Sequence, residues 1–404
     1  MRKVLILLVL ATLATSAMSQ SDTTQKFKLN LHGFVNPHYY ADSRSVVGGR
    51  EDMMLFYPKP ILRDSLGRDI NDGWQANMLS ITARLGLTIN GPDMLGAKTS
   101  GYIEGDFTGS TNATNNNLRL RHAYFTLDWG KHKLLAGQYW YAMVIHEIMP
   151  MTNPLNMGAP FHPYARYNQV RYSWKPGVFE AVAVAQWQLD NMSHGMLDGV
   201  YTSSTTFARR SLLPELNLQA RINNDRLLLG AAANMLTIQP QVPQTTLDSR
   251  LHSSYTFSLF GKYRFDGFTI KAQTLLNNSL YEGCSLGGYL LLTYAGSGRE
   301  EVQDWHFNTV WMDIERTRGH WRPGLFMGYA KQQSTTITTE KTVTHAFGRG
   351  WDIDYLWRVQ PRLTYTTLKG LSFVGEAELT TAKYIVDAEP VCNLRLSLSA
   401  VYAF

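Results

Sequence analysis

The C-terminal stretch Leu394-Arg395-Leu396-Ser397-Leu398-Ser399-Ala400-Val401-Tyr402-Ala403-Phe404 alternates apolar and polar side chains with a period of two. Leu394, Leu396, Leu398, Ala400, Tyr402 and Phe404 share one face, and Arg395, Ser397 and Ser399 share the other. Side chains of a strand point alternately to its two faces, so this stretch predicts a strand with an apolar phase on one side and water on the other. The pattern recurs upstream. Trp351, Ile353, Tyr355, Trp357, Val359, Leu363 and Tyr365 oppose Asp352, Asp354, Arg358, Gln360, Arg362 and Thr364, and Phe373, Gly375, Ala377 and Leu379 alternate with Glu376 and Glu378. Phe179, Ala181, Ala183, Ala185, Trp187 and Leu189 face away from Glu180, Gln186 and Gln188; Leu216, Leu218, Ala220 and Ile222 face away from Glu215, Asn217, Gln219 and Arg221. Leu79, Ile81, Ala83, Leu85, Leu87 and Ile89 oppose Ser80, Thr82, Arg84 and Thr88; Phe257, Leu259, Tyr263 and Phe265 oppose Thr256, Ser258, Lys262 and Arg264. One such segment is weak evidence. Repetition along the whole chain predicts a wall that closes on itself.

Turn chemistry divides the chain. Short turn signals stand at Asn90-Gly91-Pro92, Gly130-Lys131, Lys175-Pro176-Gly177, Asn223-Asn224-Asp225, Asp266-Gly267, Arg318-Gly319 and Lys369-Gly370. Long polar connections lie between them, at 42–73, 146–165, 191–213, 239–254, 279–303 and 334–349. Strands are expected at 27–41, 74–90, 97–108, 117–129, 132–144, 166–174, 178–190, 214–222, 226–238, 255–265, 268–278, 304–316, 321–333, 351–366, 371–384 and 393–404. The fold class is all-β, a transmembrane antiparallel β-barrel of about sixteen strands with short periplasmic turns and long extracellular loops. Residues 287–295 are a further strand candidate that would change the count by two. Aromatics near segment ends, Tyr39-Tyr40, Trp129, Trp140-Tyr141, Trp174, Trp187 and Trp321, are expected to form interfacial girdles.

Composition agrees with that class. Charged residues make up 17% and aromatics 12%. Arg2 and Lys3, the apolar run Val4 to Leu13 and the small-residue stretch Ala14 to Ser19 read as a secretory leader, residues 1–19, cut before Gln20. Its removal takes away two of the cations, so the formal charge falls from +6 to +4, too small an excess to imply a nucleic-acid partner. After the leader there is no apolar run of about 18 residues, so no helical span is predicted. Residues 20–404 are read as one barrel domain in the outer membrane of a Gram-negative cell, in contact with its lipids. The segment before the first strand is too short for a plug domain, which argues against an energy-coupled transporter. Cys284 and Cys392 show no metal-ligand spacing and lie on loops where a bridge between them is one reading.

The stretches Gly101-Tyr102-Ile103-Glu104-Gly105-Asp106-Phe107, Leu118-Arg119-Leu120-Arg121-His122-Ala123-Tyr124 and Leu135-Ala136-Gly137-Gln138-Tyr139-Trp140 resemble the DcaP-like and phosphate-selective-porin-like group of porins. The resemblance covers about residues 101–142; elsewhere only the strand pattern agrees. It implies a homotrimer of sixteen-strand barrels with one pore per subunit, passing small polar solutes and preferring small anions. The chain departs from the group in lacking a coiled-coil extension before the first strand and a dense Arg/Lys ladder. Tyr402 and Phe404 look like the last-strand signal read by the barrel-assembly machinery.

Within such a barrel, inward charges are the candidate selectivity residues. Lys262, Arg264, Lys271 and Gln273 form the most basic wall. Arg171 with Glu180, and Arg358 or Arg362 with Glu376 or Glu378, are further pore-lining candidates but read better as cross-strand pairs that stiffen the wall. Arg119 and Arg121 share a face with Phe125 and Leu127 by strict alternation; either they lie above the lipid at the extracellular end, or a bulge turns them inward, near a constriction, which is what the resemblance implies, and Glu104 is a further pore-lining candidate. The connection 146–165 carries Pro150, Pro154, Pro160, Phe161 and Pro163, too stiff and apolar for a solvated loop, so it is expected either to fold into the bore and narrow it or to cap a subunit interface. No catalytic residues, cofactor or metal are expected: Ser193-His194 is a chance neighbour pair, and His146, Glu147 and His162 fit no metal spacing. The competing classes are an adhesin or structural barrel with a blocked lumen, and an outer-membrane hydrolase.

Overall fold

The last strand, Val391–Ala403, pairs antiparallel with Leu371–Tyr384 on one side and with the first strand on the other, and the second pairing closes the wall. Phe34 lies opposite Ala403, Val35 opposite Tyr402 and His38 opposite Ser399; the Gly33 and Phe404 backbones exchange hydrogen bonds of 3.0 Å. A side chain at position 33 would meet the Arg84 carbonyl oxygen at 2.2 Å, so the seam demands glycine. This is a computed structural model, and it describes residues 27–404 apart from 154–155, 190, 243–249, 280, 298, 334, 336 and 368–369. The expected leader, Pro154 and Lys369 lie outside the described residues.

The main sheet has eighteen segments, but two pairs of them are halves of interrupted strands. Lys28–Val35 and His38–Arg44 are separated by Asn36-Pro37, where proline supplies no N–H. Asp72–Leu79 and Arg84–Asn90 are separated by a turn in which the Ala83 N–H donates to the Ser80 carbonyl. Each half keeps its neighbour, so the wall has sixteen strands. The other fourteen are Lys98–Asp106, Arg119–Asp128, His132–Trp140, Arg166–Trp174, Phe179–Trp187, Glu215–Asn223, Leu227–Ile238, His252–Phe265, Phe268–Asn278, Phe307–Arg316, Trp321–Gln332, Ile353–Thr366, Leu371–Tyr384 and Val391–Ala403. Each coincides with an expected strand. Gly287–Tyr294 does not join the wall; it pairs with Glu300–Trp305 and Lys341–Arg349 in a separate sheet above the rim.

Side-chain direction follows the alternation. Leu218 and Leu398 each keep 63% of their surface on the outside, whereas Asn217, Gln219, Arg395 and Ser397 are buried within. A largely apolar exterior around a closed sheet is a surface for lipid, since the wall's backbone is paired strand to strand. Among the described residues the expected alternation fails at several places. Ile353 points inward with Leu356, through a register shift between Ile353 and Tyr355, and Ile81 turns inward at the 80–83 break. Trp140 and Tyr141 face the bore rather than forming a girdle, because apolar loop segments fill the bore at their level.

Three further sequence expectations are corrected. Glu180 lies opposite Arg221 and binds it at 2.7 Å, while Arg171 lies opposite Val184 and donates to Gln169. Arg362 lies opposite Glu376 but takes Asp313 at 2.6 Å. Cys284 is buried and Cys392 exposed, and no disulfide joins them.

The bore is partly filled. The hairpin Val46–Gly49 with Met54–Pro58 enters from the long-loop end, with Leu55, Phe56 and Tyr57 buried. The described residues of 141–165 cross the interior, and Met143, Ile148 and Phe161 are fully buried there. Above them, Phe207, Tyr281, Tyr289 and Phe347 pack a cap made by the other long loops.

Candidate functional site

The crossing loop is fastened by wall side chains to its backbone. Gln219 donates to the Ala142 carbonyl at 2.8 Å, Gln273 to Met143 at 3.2 Å, and Lys271 to Met149 at 3.0 Å. The Met151 N–H donates to Asp313 at 3.2 Å, and the Asn153 N–H to both oxygens of Glu376 at 3.1 Å. On the return path Arg358 donates to the Ala159 carbonyl at 2.8 Å, and its other nitrogen to Leu55 and Phe56 of the 46–58 hairpin at 3.1 Å. These partners lie on five wall strands, reaching from Glu215–Asn223 round to Leu371–Tyr384. Polar groups on a rigid wall thereby satisfy backbone groups of an apolar loop whose own regular structure is one short 3-10 turn, His146–Ile148, with a few local hydrogen bonds. Pro150 and Phe161 are buried in this crossing.

The loop leaves one side open. There, a bulge in Arg119–Asp128 sets Glu104 opposite His122 and Gly105 opposite Leu120, so that Arg121 is the extra residue. Arg119, Arg121, His122 and Tyr124 all turn inward, while Leu118, Leu120 and Phe125 stay outside. Arg121 binds Glu104 at 2.6 Å and Asp106 at 2.7 Å; Arg119 binds Asp106 at 3.1 Å, and Arg84 approaches Glu104 at 3.6 Å. Arg166, fully buried, lies 4.0 Å over the Trp140 ring and donates to the Tyr164 hydroxyl at 3.1 Å. Arg121 reaches the same hydroxyl at 3.5 Å. No carboxylate forms an ion pair with Arg166 among the described residues. Burial alone would raise the Tyr164 phenol, but the guanidiniums of Arg166, Arg121 and Arg119 outweigh it and bring the group down to about 7.

Two cavities meet at this cluster. One of about 470 Å³ opens toward the long loops and is lined by Arg50, Arg84, Asp106, Arg119, Arg121, Tyr164 and Arg349 among others. The second, about 360 Å³, continues toward the short-turn end past Arg84, Glu104, Arg121, Tyr139, Trp140 and Tyr164. Arg84, Arg121 and Tyr164 border both, so they ring the narrow place between them. Four guanidiniums (Arg84, Arg119, Arg121, Arg166) face two carboxylates (Glu104, Asp106), an excess of two positive charges.

Comparison with known proteins follows this geometry. No protein-family model matches the chain, and no curated protein matches it. Solved structures do. A loop-deletion form of OmpT, an outer membrane protein of Vibrio cholerae, is 10% identical with a TM-score of 0.56, over 94% of this chain and 99% of that one. An anion-selective porin from Comamonas acidovorans is 11% identical with a TM-score of 0.55, over 94% and 100%. Salmonella typhi OmpF is 10% identical with a TM-score of 0.53, over 93% and 98%. The fold is that of outer-membrane porins. At this identity the likeness is one of architecture.

The candidate residues divide by place. Arg119, Arg121 and Glu104 belong to the narrow place. Lys262 and Arg264 face a separate chamber of about 730 Å³ at the short-turn end, shared with Glu147, Arg226, Glu315 and Arg318. Lys271 lines it too but is bound to Glu315 at 2.6 Å, and Gln273 is spent on the crossing loop. Arg358 and Arg362 are buried in ion pairs with Glu378 at 3.0 Å and Asp313 at 2.6 Å. Arg171 is half-buried beside Tyr139, 5.6 Å over its ring. The Ser193 hydroxyl donates to Glu282 at 2.9 Å, and the His194 ring bonds Tyr201 at 2.8 Å, so the two are not joined as nucleophile and base. Burial pushes the His162 imidazole down to about 3, away from any charged role at neutral pH.

Sequence reading missed Arg166 and Tyr164. Alternation backward from Asn168 and Val170, which face outward, would have turned Arg166 outward too, and it departs from that rhythm by lying fully buried inside. Nothing local marks Tyr164, which acquires its character from guanidiniums more than forty positions upstream as well as from Arg166.

Proposed function

We propose that this chain is an outer-membrane channel for passive diffusion of small hydrophilic solutes, with a preference for small anions. The observation that carries the reading is the narrow place at Arg84, Arg121 and Tyr164, bordered by a cavity on either side. Guanidiniums fixed by carboxylates and by a rigid wall hold their charge in place, which is how pores discriminate between ions. The short turns then lie on the periplasmic side and the capped loops outside. The crossing loop 141–165 serves as the constriction, forcing solutes along the strands from Arg84 to Trp140. Lys262 and Arg264 form a basic exit vestibule. The DcaP-like resemblance of residues 101–142 supports the anionic preference and a homotrimeric assembly. Tyr402 and Phe404, at the closing seam, are the proposed contact for the assembly machinery, and residues 1–19 the cleaved leader.

Planar-bilayer recording of the refolded protein tests this. Discrete conductance steps are expected, with a reversal potential of anionic sign in a KCl gradient. Silence, together with no liposome swelling in small sugars, would reject it. That outcome would favour a second reading, a barrel with a blocked lumen, which rests on the complete burial of Met143, Ile148 and Phe161 inside the wall.

A further inference from the structure

We propose that the cavity between the narrow place and the short-turn end is a retention subsite for solutes carrying a flat aromatic ring, with Tyr124 and Tyr139 as specificity-determining residues. This rests on the channel reading and adds to it what the bore selects besides charge. One wall of the cavity is a succession of rings held on adjacent strands. Tyr102 lies 5.6 Å from Tyr124, Tyr124 5.0 Å from Tyr139, Tyr139 5.6 Å from His122, His122 5.1 Å from Trp140, and Trp140 5.7 Å from Tyr164. The bulge at Arg121 creates the succession, because it brings His122 and Tyr124 to the same face as Tyr102 and Tyr139.

The opposite wall is the crossing loop, which offers Met149, Pro150, Met151 and Met157. Rings and methionines at such spacings ordinarily close on one another as a core. Here they stand around about 360 Å³ of unfilled space, and Met151 keeps 56% of its surface. A slot with aromatic faces and edges on one side and thioethers on the other suits a planar π system. Ring pairs are favoured at centroid separations of about 4.5–7 Å, and sulfur–ring contact at about 5 Å. A puckered saturated ring of the same size cannot bring its atoms flat against either wall. Arg84 and Arg121 stand at one end of the slot, placed to take the carboxylate of such a solute while its ring lies below.

The test compares benzoate with cyclohexanecarboxylate, which share a six-membered ring and a single carboxylate and differ in flatness. In bilayers holding the full-length protein, benzoate is expected to interrupt the KCl current about fivefold more than cyclohexanecarboxylate at equal concentration. Tyr124→Leu and, separately, Tyr139→Leu should bring the two probes together, whereas Tyr255→Leu on the lipid face should leave the difference intact. Absence of any KCl conductance overturns the channel reading and the subsite with it. Normal conductance with equal interruption by the two acids overturns the subsite alone. So does either bore-facing variant that conducts and keeps the full difference. Should both of those variants fail to assemble, the wild-type comparison still decides.

Discussion

Arg84→Gln isolates the charge of the narrow place from its architecture. Arg84 borders both cavities, and its Glu104 contact, at 3.6 Å, is the looser of the two that this carboxylate makes. Glu104 keeps Arg121 at 2.6 Å after the change, so no buried carboxylate loses its partner and the cost in stability stays below about 1 kcal/mol. The charge excess falls from two to one. A unit charge acting on an ion about 5 Å away in water contributes about 0.8 kcal/mol, screened at 0.1 M salt to about 0.5 kcal/mol. The change disfavours anions and favours cations by that amount, about 1 kcal/mol in all, so the anion-to-cation permeability ratio should fall about fivefold. The assay is the reversal potential across a bilayer in a tenfold KCl gradient, wild type against variant. An unchanged ratio at intact single-channel conductance would refute the assignment of selectivity to this cluster.

Other perturbations reach the same architecture from different sides. Tyr164 holds its phenol at about 7 against an ordinary 10, so phenolate forms in the folded protein as pH rises from 6 to 8; the charge excess drops from two to one and anion preference weakens. The sign for stability is that of a lowered acid: the contribution is complete above 10 and is lost as pH falls through about 7. Tyr164→Phe should flatten the pH profile of the reversal potential, and a profile that persists in that variant would remove the tyrosine from the account. Arg358→Ala leaves the buried Glu378 without its partner and frees two loop segments, at a cost of about 3–5 kcal/mol; urea unfolding measures it, and a loss under 1 kcal/mol would contradict the bracing role. Deleting 150–161 should raise single-channel conductance severalfold, and unchanged conductance would show that the crossing loop does not narrow the path. A maleimide should label Cys392 in the folded protein and Cys284 only after unfolding, with no change in gel mobility on reduction.

Alternation of period two is a local property, written residue by residue, and it suffices to place all sixteen strands, the seven short turns and the lipid-facing residues of nearly every strand. Lipid outside and water inside impose that rhythm wherever the wall runs, so no distant residue need be known. The rhythm is silent where a strand bulges, as at Arg121, or where its inward neighbours are apolar, as at Ile353 and Trp140. There the deciding neighbour comes from elsewhere in the chain. Asn153 meets Glu376 across 223 positions, and Arg358 meets Phe56 across 302. Which way Arg119 and Arg121 point follows from the bulge in their own strand, whereas how Tyr164 comes to sit between guanidiniums and how much of the bore stays open follow from the path of the 141–165 loop. That path is set by hydrogen bonds to five strands at once, and contacts so far apart in sequence exist only when the barrel has closed.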